Sequence, residues 1–183
     1  NALGALGTIR YYKSDFRGAL EFNKRSDSIY LKLGFTQVQD YGAICHNYGT
    51  LYQRLGEMPK AEQYSRQAIE ISRLNGDTSS SRYLNRLNSL ATILSEQGKI
   101  REGLPIMRNS LRVAEQIGDT VSQLYITLGM GLSRTYDAVG LYDSSLLVIE
   151  KILPVSEKIW TAHPFRPLAW TTRGSAQYRL SRY

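Results

Sequence analysis

One cysteine and two histidines are all that this sequence of 183 residues offers of the side chains that most readily bind metals or carry redox chemistry. The lone Cys45 excludes an internal disulfide and leans towards reducing surroundings, so a cytoplasmic location is expected. His46 and His163 stand far apart, with no His-x-x-x-His or Cys-x-x-Cys companion. Cys45 and His46 are adjacent on one helix, where their side chains diverge by about 100° and chelate poorly. No metal site and no cofactor are expected. No stretch approaches the roughly 18 apolar residues that span a membrane, and no charged-then-apolar leader follows Asn1. Neither membrane insertion nor a signal peptide is therefore expected. With no initiator Met, a fragment of a longer protein is expected.

Acidic residues are the scarcer charge. Lys and Arg number 23 against 16 Asp and Glu, a formal net charge of +7. The basic residues are spread along the chain, among them Arg10, Lys24, Arg54, Arg73, Arg101 and Arg112. A nucleic-acid reader concentrates them on one element or stripe, so no nucleic acid is expected. Solvated helix faces are the plain reading, and an acidic partner is the functional alternative.

What the sequence has in abundance is repetition. Small residues recur at Gly7, Gly49, Ala91 and Ser133, always 42 residues apart. The same interval links Ser14, Gly56, Gly98 and Gly140, and again Ala19, Ala61, Gly103 and Ser145. Gly34, Gly76 and Gly118 keep step, as do Thr36, Thr78 and Thr120. In-step series of this period mark an array of supersecondary units, whose asset is an extended surface for another molecule.

Within the second unit, Ile44, Tyr48, Leu51, Tyr52 and Leu55 form the stripe of an amphipathic helix, and Gly56 supplies a left-handed stop. Pro59 suits the first turn of the next helix, whose stripe is Ala61, Tyr64, Ala68 and Ile71. Gly76 ends that helix, and Asp77 or Thr78 can accept from the N–H groups that open the following one. The paired small residues Gly7 with Ala19, Gly49 with Ala61, Ala91 with Gly103 and Ser133 with Ser145 allow two antiparallel helices to approach closely. The pattern predicts nine helices near 1–13, 15–33, 37–55, 59–75, 79–97, 101–117, 121–139, 143–160 and 165–181. Pro154 should kink or shorten the eighth. The corner Thr161-Ala162-His163-Pro164-Phe165-Arg166-Pro167 replaces the earlier glycine junction, as an irregular join or a loop that grips a partner.

Leu6-Gly7, Asp15-Phe16 and Ala19-Leu20 resemble the tetratricopeptide repeat. So do Tyr48-Gly49-Thr50-Leu51-Tyr52 with Leu55-Gly56 and Lys60-Ala61, Leu141-Tyr142-Asp143 after Gly140, and Trp170 before Gly174. The common repeat has a period of about 34 residues, so the added length here must lie around Gly34, Gly76 and Gly118. Such elongated repeats are similar to those of kinesin light chains and of bacterial signalling proteins. The resemblance implies an all-α fold, a right-handed superhelix of antiparallel helix pairs. It implies a single array with units of about 1–34, 35–76, 77–118 and 119–160 and a partial fifth, 161–183. It also implies a regulatory or adaptor role.

No catalytic constellation survives inspection, so an enzyme is not expected. Leu128-Gly129-Met130-Gly131-Leu132 lacks the third glycine, the lysine and the preceding strand of a phosphate loop. It falls inside a predicted helix, where close packing explains the glycines. Tyr48, Tyr52, Tyr64 and Tyr136 occupy stripe positions and read as core.

In tetratricopeptide arrays the first helix of each unit lines the binding groove. The resemblance carries this to Asn1, Gly4, Thr8 and Tyr11, then to Ala43, His46, Asn47, Thr50 and Gln53. It carries it further to Asn85, Asn88, Thr92 and Ser95, and to Thr127, Met130, Arg134 and Asp137. Asn47 and Asn88 can grip an extended peptide backbone through donor and acceptor together. Of the residues of the chaperone-type carboxylate clamp, only Asn47 falls in place, so a chaperone tail is not the expected ligand. Arg134, with its fork of donors, points to an acidic segment. The expected function is a non-catalytic scaffold that binds protein or extended peptide. The alternative is a structural module that oligomerises through its end repeats. Helix nine lacks the second helix of its unit, so its stripe, with Leu168, Thr171, Gln177 and Leu180, is expected to be covered by further chain beyond Tyr183 or by a partner.

Overall fold

The computed structural model describes residues 2–159 and 166–181. The corner at 160–165, and with it His163, lies outside the described residues, as do Asn1, Tyr183 and the side chain of Leu168. Nine α-helices follow one another among the described residues, and no strand is present there. They are α1 (Ala2–Tyr12), α2 (Phe16–Leu33), α3 (Gln39–Arg54), α4 (Met58–Leu74), α5 (Ser81–Glu96), α6 (Ile100–Gln116), α7 (Gln123–Ala138), α8 (Tyr142–Ile159) and α9 (Arg166–Leu180). Each begins and ends within two residues of its predicted bounds.

The chain divides into two compact units, Asn1–Ile93 and Leu94–Tyr183. In the first, α1 pairs with α2 and α3 with α4, and α2 packs on α3. In the second, α7 pairs with α8, flanked by α6 and α9.

The turns form where the glycines predict. Gly34, Gly56, Gly76, Gly98, Gly118 and Gly140 all have φ between +71° and +78°, the left-handed region a Cβ disfavours. Ser14 holds the Gly56 position of the first unit at φ 60°, with a side chain attached. Ser14→Gly should therefore raise the stability of the first unit by roughly 0.5–1 kcal/mol, the strain relieved exceeding the added freedom of the unfolded chain. Urea denaturation measures it, and an unchanged midpoint would show that Ser14 carries no strain.

Helix starts depart from the prediction. Asp77 accepts from the backbone N–H of Ser80 at 3.1 Å, and Ser80 is the residue that caps α5, its Oγ accepting from Tyr83 N–H at 3.1 Å. Ser122, 42 residues later, does the same for Tyr125 of α7 at 3.1 Å. The serines win because they stand directly before the helix, whereas Asp77 and Thr78 sit too early to reach its first free N–H groups. Helix α8 also continues through Pro154 to Ile159 without being shortened, as α6 continues through Pro105. Both prolines are exposed, so water can take the carbonyl left without its N–H partner.

Close approach explains the small residues. A Cβ on Gly7 would already touch Ala19 O at 3.6 Å, and one on Gly49 would press into Ser65. Ser133 and Ser145 share a hydrogen bond of 2.7 Å between their hydroxyls. Gly129 lies inside α7, where a Cβ would come within 2.5 Å of Ile152 Cγ2, so it is a packing glycine. The first unit's core gathers Tyr41, Ile44, Cys45, Tyr48, Ala68 and Ile71, with Tyr52 and Tyr64 against it. Tyr48 and Tyr64 stack at 4.6 Å between centroids, and burial of a side chain the size of Tyr48 contributes about 2 kcal/mol. Tyr48 and Tyr136 are core, as predicted, whereas Tyr52 and Tyr64 are half-buried and pack against it.

Candidate functional site

Helices α1 and α3 are the first helices of neighbouring repeats, and a cavity of about 300 Å³ opens between them over α2. Gly4, Gly7, Thr8 and Tyr11 of α1 form one wall, and His46, Asn47 and Thr50 of α3 the other. Ala19 and Asn23 of α2 close the floor. The repeat register puts these residues on the same side of successive first helices. Asn23 ties the floor to α3 by donating from Nδ2 to Ile44 O at 3.1 Å. At the rim, Arg54 Nε donates to the Tyr11 hydroxyl at 3.0 Å, leaving that hydroxyl's own proton free. The Thr8 and Thr50 hydroxyls donate to Gly4 O at 2.9 Å and His46 O at 3.1 Å, so towards the cavity they present lone pairs.

His46 is the chemically distinctive lining residue. The residue as a whole is half-buried, but its Nδ1 is shut away from water and has no hydrogen-bond partner. Burial, reinforced by the positive charge of Arg86, pushes its pKa down to about 4, so the ring is neutral at neutral pH. Cys45 behind it is fully buried, and burial pushes its thiol up to about 12, so it is an inert core residue. Among the described residues no group of three His, Cys, Asp or Glu side chains is placed to hold a metal ion.

Of the predicted groove residues, Thr8, His46, Asn47 and Thr50 meet around this one cavity, together with Gly4 and Tyr11. Gln53 lies further along α3, half-buried and outside the lining, and Ala43 is exposed. On α5, Asn85 is exposed, Asn88, Thr92 and Ser95 are half-buried, and the Thr92 hydroxyl donates to Asn88 O at 2.9 Å. In the second unit Thr127 and Arg134 are exposed and Asp137 is half-buried. Met130 corrects the prediction: it is 7% exposed and belongs to the core. It shares the register of His46 and Asn88, but an apolar side chain at that position withdraws from water.

Arg86 escaped the sequence reading altogether. It is 1% exposed, against the expectation of solvated basic residues, and no carboxylate lies within ion-pairing distance among the described residues. Its Nη1 donates to Ser72 Oγ, to Ala68 O at 3.2 Å and to Gln39 Oε1 at 3.3 Å, and Nη2 donates to Gln39 O at 3.4 Å. Gln39 in turn donates from Nε2 to Asp77 at 2.6 Å, so an amide relays the charge to a carboxylate. The guanidinium lies over Gly42, where a Cβ would sit 2.9 Å from Nη1. A signal was present: in register with Arg86 stand Ile44 and Leu128, both buried. Tyr41, Tyr83 and Tyr125 form another unread series. Tyr41 joins Tyr48 in donating to Asp27, at 2.9 and 3.0 Å, and Tyr125 donates to Glu115 at 3.1 Å.

Helical hairpins repeating every 42 residues, with the first helices framing a cavity, define the class as an α-helical repeat protein. Residues 40–102 match the family model for the tetratricopeptide repeat. No curated protein matches the chain in sequence. Among solved structures, BtubC (BKLC) from P. vanneervenii is similar with a TM-score of 0.83 at 19% identity, over 98% of this chain and 72% of that one. A kinesin-light-chain-like protein of Podosopora anserina with nearly identical TPR-like repeats gives 0.84 at 16% identity, over 99% and 86%. A Rap protein complexed with competence and sporulation factor gives 0.75 at 13% identity, over 99% of this chain and 49% of that one. At such identities the likeness shows the fold. Residues 40–102 thus match tetratricopeptide repeats, and the chain as a whole has the fold of an elongated array of such helix pairs.

Proposed function

We propose that this chain is a non-catalytic scaffold that binds a peptide or an extended segment of another protein. In this reading it is a single repeat array, serving as a regulatory or adaptor region of a larger cytoplasmic signalling protein. The observation that carries the reading is the cavity between α1 and α3, where Thr8, His46, Asn47 and Thr50 converge without any catalytic cluster. Asn47 is exposed beside it and offers both donor and acceptor to a passing backbone. The similarity to a Rap protein complexed with a factor supports the reading. In the second unit the exposed Arg134 suits an acidic group on the ligand. No helix among the described residues is long and apolar enough to cross a membrane.

Ordering a flexible peptide offsets much of the gross gain, so affinity should be modest, around micromolar. Asn47→Ala/Asn88→Ala is expected to weaken binding of peptides selected from a random displayed library by about tenfold or more, with helicity unchanged. Equal binding by both proteins would remove the groove as the site. A second reading, self-association, rests on the apolar residues that α1 exposes, Leu6 at 44%, Ile9 at 52% and Tyr12 at 81%. Light scattering at several concentrations separates the two.

A further inference from the structure

The α1–α3 cavity has no lysine, arginine, aspartate or glutamate in its lining, although the chain as a whole carries a net charge of +7. A charged ligand group reaching its floor would lose its water with no counter-ion in the lining, at a cost of several kcal/mol, because Arg54 stands at the rim with its Nε given to Tyr11. An acidic side chain, which the overall charge suggests, is therefore the wrong occupant for this particular space. A purely aliphatic one is wrong too, because it would strip water from the lone pairs of Thr8 and Thr50 and from the free Tyr11 hydroxyl proton without replacing it. The volume of about 300 Å³ stands at the lower end for ligand pockets and fits one large side chain. Gly4 and Gly7 present only backbone along one wall, and a flat ring can lie against it.

Resting on the peptide-binding reading above, we infer that the cavity takes a hydroxyl-bearing aromatic side chain, a tyrosine, from an extended peptide. Its ring lies on the glycine wall of α1 and Ala19, and its hydroxyl reaches the Thr8 and Thr50 hydroxyls. That hydroxyl donates to a threonine lone pair and keeps its own lone pairs for a second donor. The Tyr11 hydroxyl, held by Arg54 with its own proton free, stands on the same lining as a further donor.

The test selects peptides from a random dodecapeptide display library on the wild-type chain and on two variants that fill the cavity. Gly4→Leu fills it from α1, where a Cβ meets nothing within 4 Å and leucine strengthens the helix. Thr50→Leu fills it from α3, so one variant suffices if the other misfolds. The expected result is a shared tyrosine among wild-type binders. Replacing it by phenylalanine should weaken binding about tenfold, replacing it by aspartate should abolish binding, and the filled variants should lose the tyrosine preference. A shared acidic or aliphatic residue, or the same peptides selected by the filled variants, overturns the inference. The groove reading then still stands if Asn47→Ala/Asn88→Ala loses those peptides. No binder to the wild-type chain overturns both.

Discussion

Arg86→Ala is expected to destabilise the first unit by about 3–5 kcal/mol, and Arg86→Lys to lose nearly as much. The buried guanidinium spans Ser72, Ala68 O and both ends of Gln39. Removing it takes the buried donor from Ser72 Oγ and Gln39, leaves Ala68 O with the Ser72 hydroxyl, and opens a hole over Gly42. A lysine ammonium cannot reproduce the planar fork, and it would be buried with its nearest carboxylate, Asp77, reached only through Gln39. Arg86→Met keeps the volume and removes the buried charge, so its cost should be less than half as large. Urea denaturation followed by circular dichroism measures the series. A lysine variant within 1 kcal/mol of wild type, on the scale of an ordinary surface change, would show that the fork geometry is immaterial.

Acid should weaken the fold through His46 before the carboxylates titrate. In the unfolded chain the imidazole takes up its proton near pH 6.5; in the folded chain burial, and then the charge of Arg86, delay this to about pH 4. Between those values the unfolded state binds the extra proton, so stability falls as pH falls through that window. Above it His46 makes no difference. At about 1.4 kcal/mol per pH unit the loss approaches roughly 3 kcal/mol. The hydrogen-bonded Asp15 and Asp77 are held below the usual carboxylate range, the former by Gly18 N–H and Arg10, so their contribution is lost only at lower pH. Urea midpoints at pH 7.5, 5.5 and 4.5 should drop for the wild type and stay nearly level for His46→Gln. An equal drop in both would assign the slope elsewhere.

The fold was legible because its causes are local. A glycine at positive φ and a pair of small residues at a helix crossing each leave a mark in one residue type, and a period of 42 residues repeats that mark. Arg86 was not legible by residue type, since arginine usually means solvent. Register would have exposed it. Ile44 and Leu128 mark its position as core, and Leu84 and Ile126 mark that of Gly42, where arginine occupies space a side chain has vacated. The site was half legible for a similar reason. Helical register fixes where Thr8, His46, Asn47 and Thr50 start, but the cavity depends on how α1, α2 and α3 pack, which no local pattern states.

The central claim is that a ligand segment lies along the first helices of the first unit, against the α1–α3 cavity. Photo-crosslinking tests it most directly. The chain would carry p-benzoylphenylalanine in place of Asn47 at the cavity, or in place of Gln67, exposed on α4. Library-selected peptides should crosslink at position 47 and not at 67. Crosslinking at 67 with none at 47 would contradict the account.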